Sequence, residues 1–235
     1  MRKKLIRKLA PLLVGAMLVS ALAACSALDV VGKDSVVSFE KVLAAVPGQV
    51  AADERNGGWS LSAPDDTVRF LWSEDTGTSP FYEVMLELDA KPFVAAGLDT
   101  GRLPENYAAY EGMLMVGMKL GGDDRKDGGS LTALAAYEQI VKKYRNVVGY
   151  HAALDHYNVS LGDGNLFEWA KDFAVNGTTK ENQDKDLVFV LNPEPLIAAG
   201  VDPEKVEGWV YATVSVDLDG RPTDVYKFLK PFDLR

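Results

Sequence analysis

The sequence predicts an α+β fold made of two copies of one unit, each with a helix laid across an antiparallel sheet of about four strands. The first observation is a repeated apolar octad, because residues 92–99 read P-F-V-A-A-G-L-D and residues 195–202 read P-L-I-A-A-G-V-D. The second observation is that each half has a run with helical period followed by runs with a period of two. We interpret this pattern as a tandem duplication with a spacing of 103 residues between the octads.

Five further short matches occur in the same order in both halves. Their spacings range from 96 to 103 residues, a drift that insertions in loops would explain. They place the first repeat unit at residues 35–129 and the second, which has an extra C-terminal strand, at residues 130–235. The matched positions are Phe39 with Tyr137, Trp59 with Tyr157, Trp72 with Trp169, residues 84–89 with 187–192, and Glu111 with Glu207.

Two long helices are predicted, one at the start of each unit. The first begins after Asp34 and Ser35, whose side chains suit the N-cap position. The second is capped by Ser130 and carries apolar residues at helical spacing. Each octad adds a short helical turn, in which Gly97 or Gly200 takes a left-handed conformation at the C-terminal end.

Four strands are predicted in the first unit from alternating apolar residues. Three precede the octad, over W-S-L-S-A, T-V-R-F-L-W-S and Y-E-V-M-L-E-L, and the fourth runs from Met113 to Leu120. In the second unit the corresponding fourth strand begins at Trp209. The tail D-V-Y-K-F-L-K-P-F is predicted to be the extra strand, reached through a hairpin turn.

The predicted fourth strands carry the candidate surface for a ligand or partner. In the second unit Trp209 and Tyr211 lie on the face opposite to the valines of the same strand, and in the first unit Met113 and Met115 occupy that face. A second apolar face requires a cover, which is either another element of this protein or a bound partner. These four residues are therefore the candidate site, as an exposed platform or as the wall of a cleft.

The N-terminus has the layout of an export signal. Five positive charges in the first eight residues precede an apolar stretch that ends at Cys25, the only cysteine. The sequence Leu22-Ala23-Ala24-Cys25 resembles the lipobox of bacterial lipoproteins. This resemblance implies that residues 1–24 are a cleaved signal peptide, that lipid is attached to Cys25, and that residues 25–34 form a tether.

The resemblance also implies a protein on the extracytoplasmic face of a bacterial membrane, held by the lipid on Cys25. Removal of residues 1–24 leaves 20 Lys and Arg against 34 Asp and Glu, a formal charge near −14. Such an acidic surface argues against a nucleic-acid partner and against electrostatic docking on anionic lipids.

Catalytic and metal-binding signatures are weak in this sequence. The two histidines, His151 and His156, are not expected to converge, because a spacing of five does not place them on one helical face, and no metal or cofactor is predicted. The segment from Ser38 to Lys41 matches the S-x-x-K of serine acyl-enzymes but lacks the partner motifs of that mechanism.

We therefore expect a non-catalytic binding or envelope-interaction module whose partner is an unknown protein or small ligand of the cell envelope. Two alternatives stay open. One is an envelope hydrolase that uses Glu111 and Glu207, which the duplication would place at equivalent positions. The other is a small-molecule receptor with a pocket between the two units.

Overall fold

The structure is a computed structural model that describes residues 30–54, 57–73, 83–118, 131–152, 154–171, 185–214 and 225–234. The first half contains helix α1 (30–45), strands β1 (Val50–Asp53), β2 (Gly58–Ser62), β3 (Val68–Ser73) and β4 (Val84–Asp89), helix α2 (Lys91–Ala95), and strands β5 (Tyr107–Tyr110) and β6 (Met113–Met118). The second half contains helix α3 (Ala133–Lys143), strands β7 (Val148–His151), β8 (His156–Ser160), β9 (Leu166–Ala170) and β10 (Leu187–Leu191), helix α4 (Pro193–Ala198), and strands β11 (Val210–Val214) and β12 (Val225–Phe232).

The architecture is α+β, as the sequence predicts, but the sheets are larger than expected. Each half forms an antiparallel sheet of six strands rather than about four, in the orders β1-β2-β3-β4-β6-β5 and β7-β8-β9-β10-β12-β11. The strands missing from the prediction include β1 and β5, which read V-A-A-D and Y-A-A-Y. Such short segments show too few alternating apolar residues to reveal a strand by period alone.

The two sheets have the same strand order, and their registers place most of the sequence matches at equivalent positions. Trp72 pairs with Val84 as Trp169 pairs with Leu187. One strand further out, Trp59 and Tyr157 pair with those two tryptophans in turn. The match of residues 84–89 with 187–192 is likewise a match of β4 with β10 and the residue after it.

The fifth match, of Glu111 with Glu207, is wrong in register. Glu111 lies in the turn between β5 and β6, whereas Glu207 lies in the turn before β11. Strand β11 is the edge strand and is the counterpart of β5, and β12 lies between β10 and β11 as β6 lies between β4 and β5. The C-terminal strand is therefore not an addition to the second unit, because it is the counterpart of β6.

The two long helices differ from the prediction at their N-terminal ends. Helix α1 already begins at residue 30, inside the predicted tether, and Ser35 lies within it with its hydroxyl donating to the carbonyl of Gly32 at 2.7 Å. Helix α3 has Thr132 as its N-cap, with Thr132 Oγ1 accepting from the amide of Ala135 at 3.3 Å. Ser130, the predicted cap, lies outside the described residues.

The core is shared by both halves rather than divided between them. Phe70 of β3 and Phe167 of β9 stack with ring centroids 4.6 Å apart, so the two sheets meet directly. The helices are also shared, because Trp72 Nε1 of the first sheet donates to the carbonyl of Ala133 in α3 at 3.0 Å. In the other direction Trp169 Nε1 of the second sheet donates to Ser38 Oγ of α1 at 3.2 Å.

The octads meet each other at the boundary between the halves. The amide of Asp99 donates to the carbonyl of Ala199, and the amide of Asp202 donates to the carbonyl of Ala96, both at 2.8 Å. Because 96 and 199 are equivalent octad positions, as are 99 and 202, the contact is reciprocal. Gly97 and Gly200 lie at the centre with φ of +107° and +103°, which confirms their predicted left-handed conformation.

Candidate functional site

Trp209 and Tyr211 face the core, so their face is covered by other elements of this protein, which is one of the two alternatives that the sequence left open. Trp209 is 9% exposed, and its ring packs edge-on against Phe93 with centroids 5.7 Å apart. The neighbouring Val210 is 41% exposed and lies on the outer face. Strand β11 lies at the edge of the sheet, and its outer face at Val210 is open to solvent. A fully exposed platform around Trp209 is therefore absent from the described part of the chain.

An open groove nevertheless lies beside these two side chains. We name it the seam groove, and its volume is about 800 Å³, within the range of small-ligand sites. Tyr211 and Tyr226 form one wall, with their rings stacked 4.8 Å apart and Tyr226 49% exposed. The groove is lined by Asp202, Pro203, Glu204, Val206, Trp209, Tyr211 and Tyr226.

The electrostatics of the seam groove are set by the 3₁₀ turn Pro203–Lys205. Asp202 caps this turn by accepting from the amide of Glu204, and Lys205 Nζ lies 2.6 Å from its Oδ2. The hydrogen bond from Lys205 lowers the pKa of Asp202, and the same contact raises the pKa of Lys205. The carboxylate of Glu204 forms no hydrogen bond and no ion pair with a described residue. It is thus the acidic group that the groove offers to a ligand.

A second groove lies next to the seam groove, at the same turn. Its volume is about 620 Å³, and it shares Glu204 and Val206 with the first. Residues of both halves form it, since α2 lies on one side and the turn before β11 on the other. It is lined by Asp89, Lys91, Pro92, Ala95, Glu204, Lys205, Val206 and Glu207.

The residues that give the seam groove its chemistry have no chemical counterpart in the first half. Phe228 pairs with Tyr211 as Leu114 pairs with Ala109, so Tyr211 and Ala109 occupy equivalent positions. By the same register Tyr226, two residues before Phe228, is equivalent to Gly112. Glu204 is the central residue of its 3₁₀ turn, a position that Gly101 fills in the turn Thr100–Arg102.

Met113 and Met115 lie apart from the seam groove. Met115 is 2% exposed and packs with Leu71 and Met85 in a small cluster separate from the main core. Met113 is half-buried at the start of β6. Neither methionine lines the seam groove or the second groove, so the structure does not bring the four predicted site residues together.

The remaining candidate residues from the sequence are Cys25, Glu111, Glu207 and Ser38. Cys25 lies outside the described residues. Glu207 lines the second groove and Glu111 lines neither groove, and the two are not at equivalent positions, so they do not form the expected symmetric carboxylate pair. Ser38 is 3% exposed, with its hydroxyl bonded to Trp169 Nε1 and to the carbonyl of Lys171, so it has the contacts of a core residue rather than of a nucleophile.

His151, His156 and Glu168 form a cluster on the second sheet that the sequence did not predict. His151 and His156 are directly paired residues of the β7–β8 hairpin, because a loop of four residues places positions five apart opposite each other. The prediction that the two histidines do not converge assumed a helix, and it is wrong because they lie on paired strands. The Nδ1 atoms of His151 and His156 lie 3.7 Å and 4.0 Å from the two carboxylate oxygens of Glu168. Both distances are longer than hydrogen bonds, and each contact is an ion pair only when its histidine is protonated.

The two histidines have opposite electrostatic environments. The adjacent Glu168 carboxylate raises the pKa of His151, which is partly exposed. Burial lowers the pKa of His156, which is fully buried and whose ring nitrogens have no hydrogen-bond partner among the described residues. His156 is therefore held neutral while His151 is the histidine that takes up a proton.

The described ranges hold no group of three or more His, Cys, Asp or Glu side chains arranged to hold a metal ion. No helix within those ranges is long and apolar enough to span a membrane.

Comparison with known proteins did not identify a family. No protein-family model, curated protein or solved structure matches the chain.

Proposed function

We propose that this protein is a lipid-anchored bacterial lipoprotein that acts on the extracytoplasmic face of a membrane as a non-catalytic binding module. The lipobox resemblance at Leu22 to Cys25 supports the anchor. The observation that supports binding is the seam groove of the second half, where Glu204, whose carboxylate has no ion pair among the described residues, and an aromatic pair with Tyr226 exposed line one cavity.

The proposal includes an origin by tandem duplication. The common strand order and the matching registers of the two sheets support it, and the reciprocal contact between the octads is the contact expected of two related units. In this view the first half keeps Gly101, Ala109 and Gly112, while the second half acquired Glu204, Tyr211 and Tyr226. Binding then belongs to the second copy, and the first serves as its structural partner.

The anchor is tested by metabolic labelling of the full chain in a bacterial host with an alkyne-tagged fatty acid. We expect label on the wild-type protein and its recovery in the membrane fraction, because lipid on Cys25 would be the mature anchor. The Cys25→Ser variant should carry no label, while the neighbouring Ser26→Ala variant should be labelled as the wild type is. Label retained by Cys25→Ser, or absent from the wild type, would contradict the proposal.

A further inference from the structure

The Tyr211–Tyr226 wall of the seam groove has two parts of a motif that is complete at two other rings, one of them Trp209 in the same groove. Lys230 Nζ lies 5.8 Å from the centre of the Trp209 ring and 3.2 Å from Asp65. Lys171 Nζ likewise lies 5.5 Å from the centre of the Tyr150 ring and 4.0 Å from Asp155. In both places a lysine covers an aromatic ring while its ammonium faces a carboxylate.

In the seam groove Lys230 covers Trp209, whereas no lysine or arginine of the described residues lies over the rings of the Tyr211–Tyr226 pair. The Tyr211–Tyr226 pair provides an aromatic wall, with Tyr226 open to solvent. Glu204 provides the carboxylate, and the nearby Lys205 contacts Asp202 instead. A cation from outside the chain would therefore complete both a ring contact and an ion pair.

The shape of the site favours an extended ligand over a single small amine. The seam groove and the second groove share Glu204 and Val206 in their linings, so a ligand that crosses these two residues reaches from the tyrosines toward Pro92 of α2. The second groove adds carboxylates from Asp89 and Glu207 and ammonium groups from Lys91 and Lys205, so acidic side chains outnumber basic ones in the lining of the two grooves. An acidic path with an aromatic wall complements a peptide segment that carries basic side chains.

Building on the proposed binding role, we infer that the seam groove receives a lysine- or arginine-bearing segment of a partner protein. One basic side chain lies along the Tyr226 ring and places its charge beside Glu204. The rest of the segment continues into the second groove. The acidic character of the whole chain would draw such a partner toward the protein and add to its rate of association.

The test measures binding of the acetylated peptide (Gly-Lys)4 to the full chain in non-ionic detergent by titration calorimetry at low ionic strength. Removal of either contact should weaken binding, by about 3-fold to 5-fold for Glu204→Gln and by a similar factor for Tyr226→Ala. Matched controls are Glu138→Gln, an exposed carboxylate on α3, and Tyr110→Ala, a half-exposed tyrosine of β5, which should leave binding unchanged.

A variant that is expected to bind the peptide more tightly provides an independent test. Lys205→Gln removes the cation that faces Asp202 and frees a second carboxylate in the groove, so the peptide should bind about 2-fold to 5-fold more tightly. This exposed substitution leaves the core intact, so its outcome does not depend on the folding of the other variants.

Three results would overturn the inference. They are no binding of (Gly-Lys)4, equal binding by wild type and Glu204→Gln, and binding of neutral chitohexaose or (Gly-Gln)4 in preference to the lysine peptide. Any of these results would remove the basic segment as ligand while leaving the lipid anchor to its own labelling test. Fatty-acid label lost from the wild type would instead contradict the proposed anchor and leave the peptide result unchanged.

Discussion

At the scale of single residues, Glu168 is the group that separates the behaviour of the two histidines. Its carboxylate lies between them, 3.7 Å from His151 and 4.0 Å from His156, and is itself nearly buried. His151 gains a charged partner on folding, whereas His156 loses its hydration without gaining a hydrogen bond from the part of the chain that the structure describes. Protonation therefore stabilises the fold at one histidine and opposes it at the other.

We predict opposite pH dependence for these two contributions. Because the pKa of His151 is raised above its unfolded value near 6.5, its stabilising contribution is complete below that value and is lost as pH rises through the folded pKa. The pKa of His156 is lowered, so its neutral form stabilises the fold at pH values above the unfolded pKa. This contribution is lost as pH falls from the unfolded pKa through the folded pKa.

Proton NMR titration tests this prediction, since the chain has only two histidines and His151→Asn assigns their resonances. His151 should titrate above 6.5 in the wild type, and its pKa should fall in Glu168→Gln, which removes the charge with little change of shape. Glu138→Gln should leave the pKa unchanged because Glu138 lies on α3, where it pairs with Lys142. A wild-type His151 that titrates at or below 6.5 would contradict the assignment.

At the scale of elements, the octads do more than connect strands, because they also form a backbone contact between the two halves. Each ends in a left-handed glycine followed by a buried apolar residue, Leu98 or Val201. The amides of these two residues return to the carbonyls of Phe93 and Leu196, at 2.9 Å and 3.0 Å. The same turns then bring two backbones close together, an approach that a residue with a β-carbon would prevent.

We predict that Gly97→Ala and Gly200→Ala each lower the free energy of unfolding by about 2 kcal/mol or more. A β-carbon at Gly97 would lie 2.7 Å from the carbonyl oxygen of Gly200, and one at Gly200 would lie 2.8 Å from that of Gly97. The positive φ adds backbone strain at both sites. Because the two glycines share one contact, the effects of the double variant should not add.

Urea denaturation of the three variants measures these effects, and Gly48→Ala is the matched control because a β-carbon there meets no atom within 4 Å. That substitution should change the free energy of unfolding by less than about 0.5 kcal/mol. If Gly97→Ala behaves like Gly48→Ala, the close contact between the octads does not exist in solution.

At the scale of the whole molecule, the two halves depend on each other. Their sheets meet through the stacked rings of Phe70 and Phe167, and each long helix accepts an indole hydrogen bond from the sheet of the other half. Neither sheet could keep its inner face buried if the other half unfolded. The repeat in the sequence therefore does not describe two independent domains.

We predict a single unfolding transition for the full chain in scanning calorimetry, with equal calorimetric and van 't Hoff enthalpies. Leu86→Ala in the first sheet and Leu191→Ala in the second create cavities at fully buried sites, and each should cost about 2–5 kcal/mol. Both variants should shift the same transition to lower temperature because the core is shared.

Val94→Ala is the control for these variants, because Val94 is 54% exposed and its truncation should have a small effect. Splitting of the transition into two in either core variant would show that the halves unfold separately.

Features that depend on local chemistry could be predicted from the sequence alone. The α+β class, the approximate positions of the long helices, and the left-handed turns at Gly97 and Gly200 are of this kind. Helical period, strand period and glycine caps are properties of a few consecutive residues, so no distant contact is needed to recognise them. The lipobox resemblance at Cys25 also comes from local sequence and stays a prediction.

Only the tertiary structure decided features that require distant segments to pair. The inner position of β12 turned Trp209 and Tyr211 toward the core, and a shift of one residue in register would have reversed both faces. The same pairing brought His151 and His156 to Glu168, and it placed Tyr226 beside Glu204 in the seam groove. The physical reason is that a strand's faces and neighbours are set by burial of apolar area across the whole molecule, which no short stretch of sequence contains.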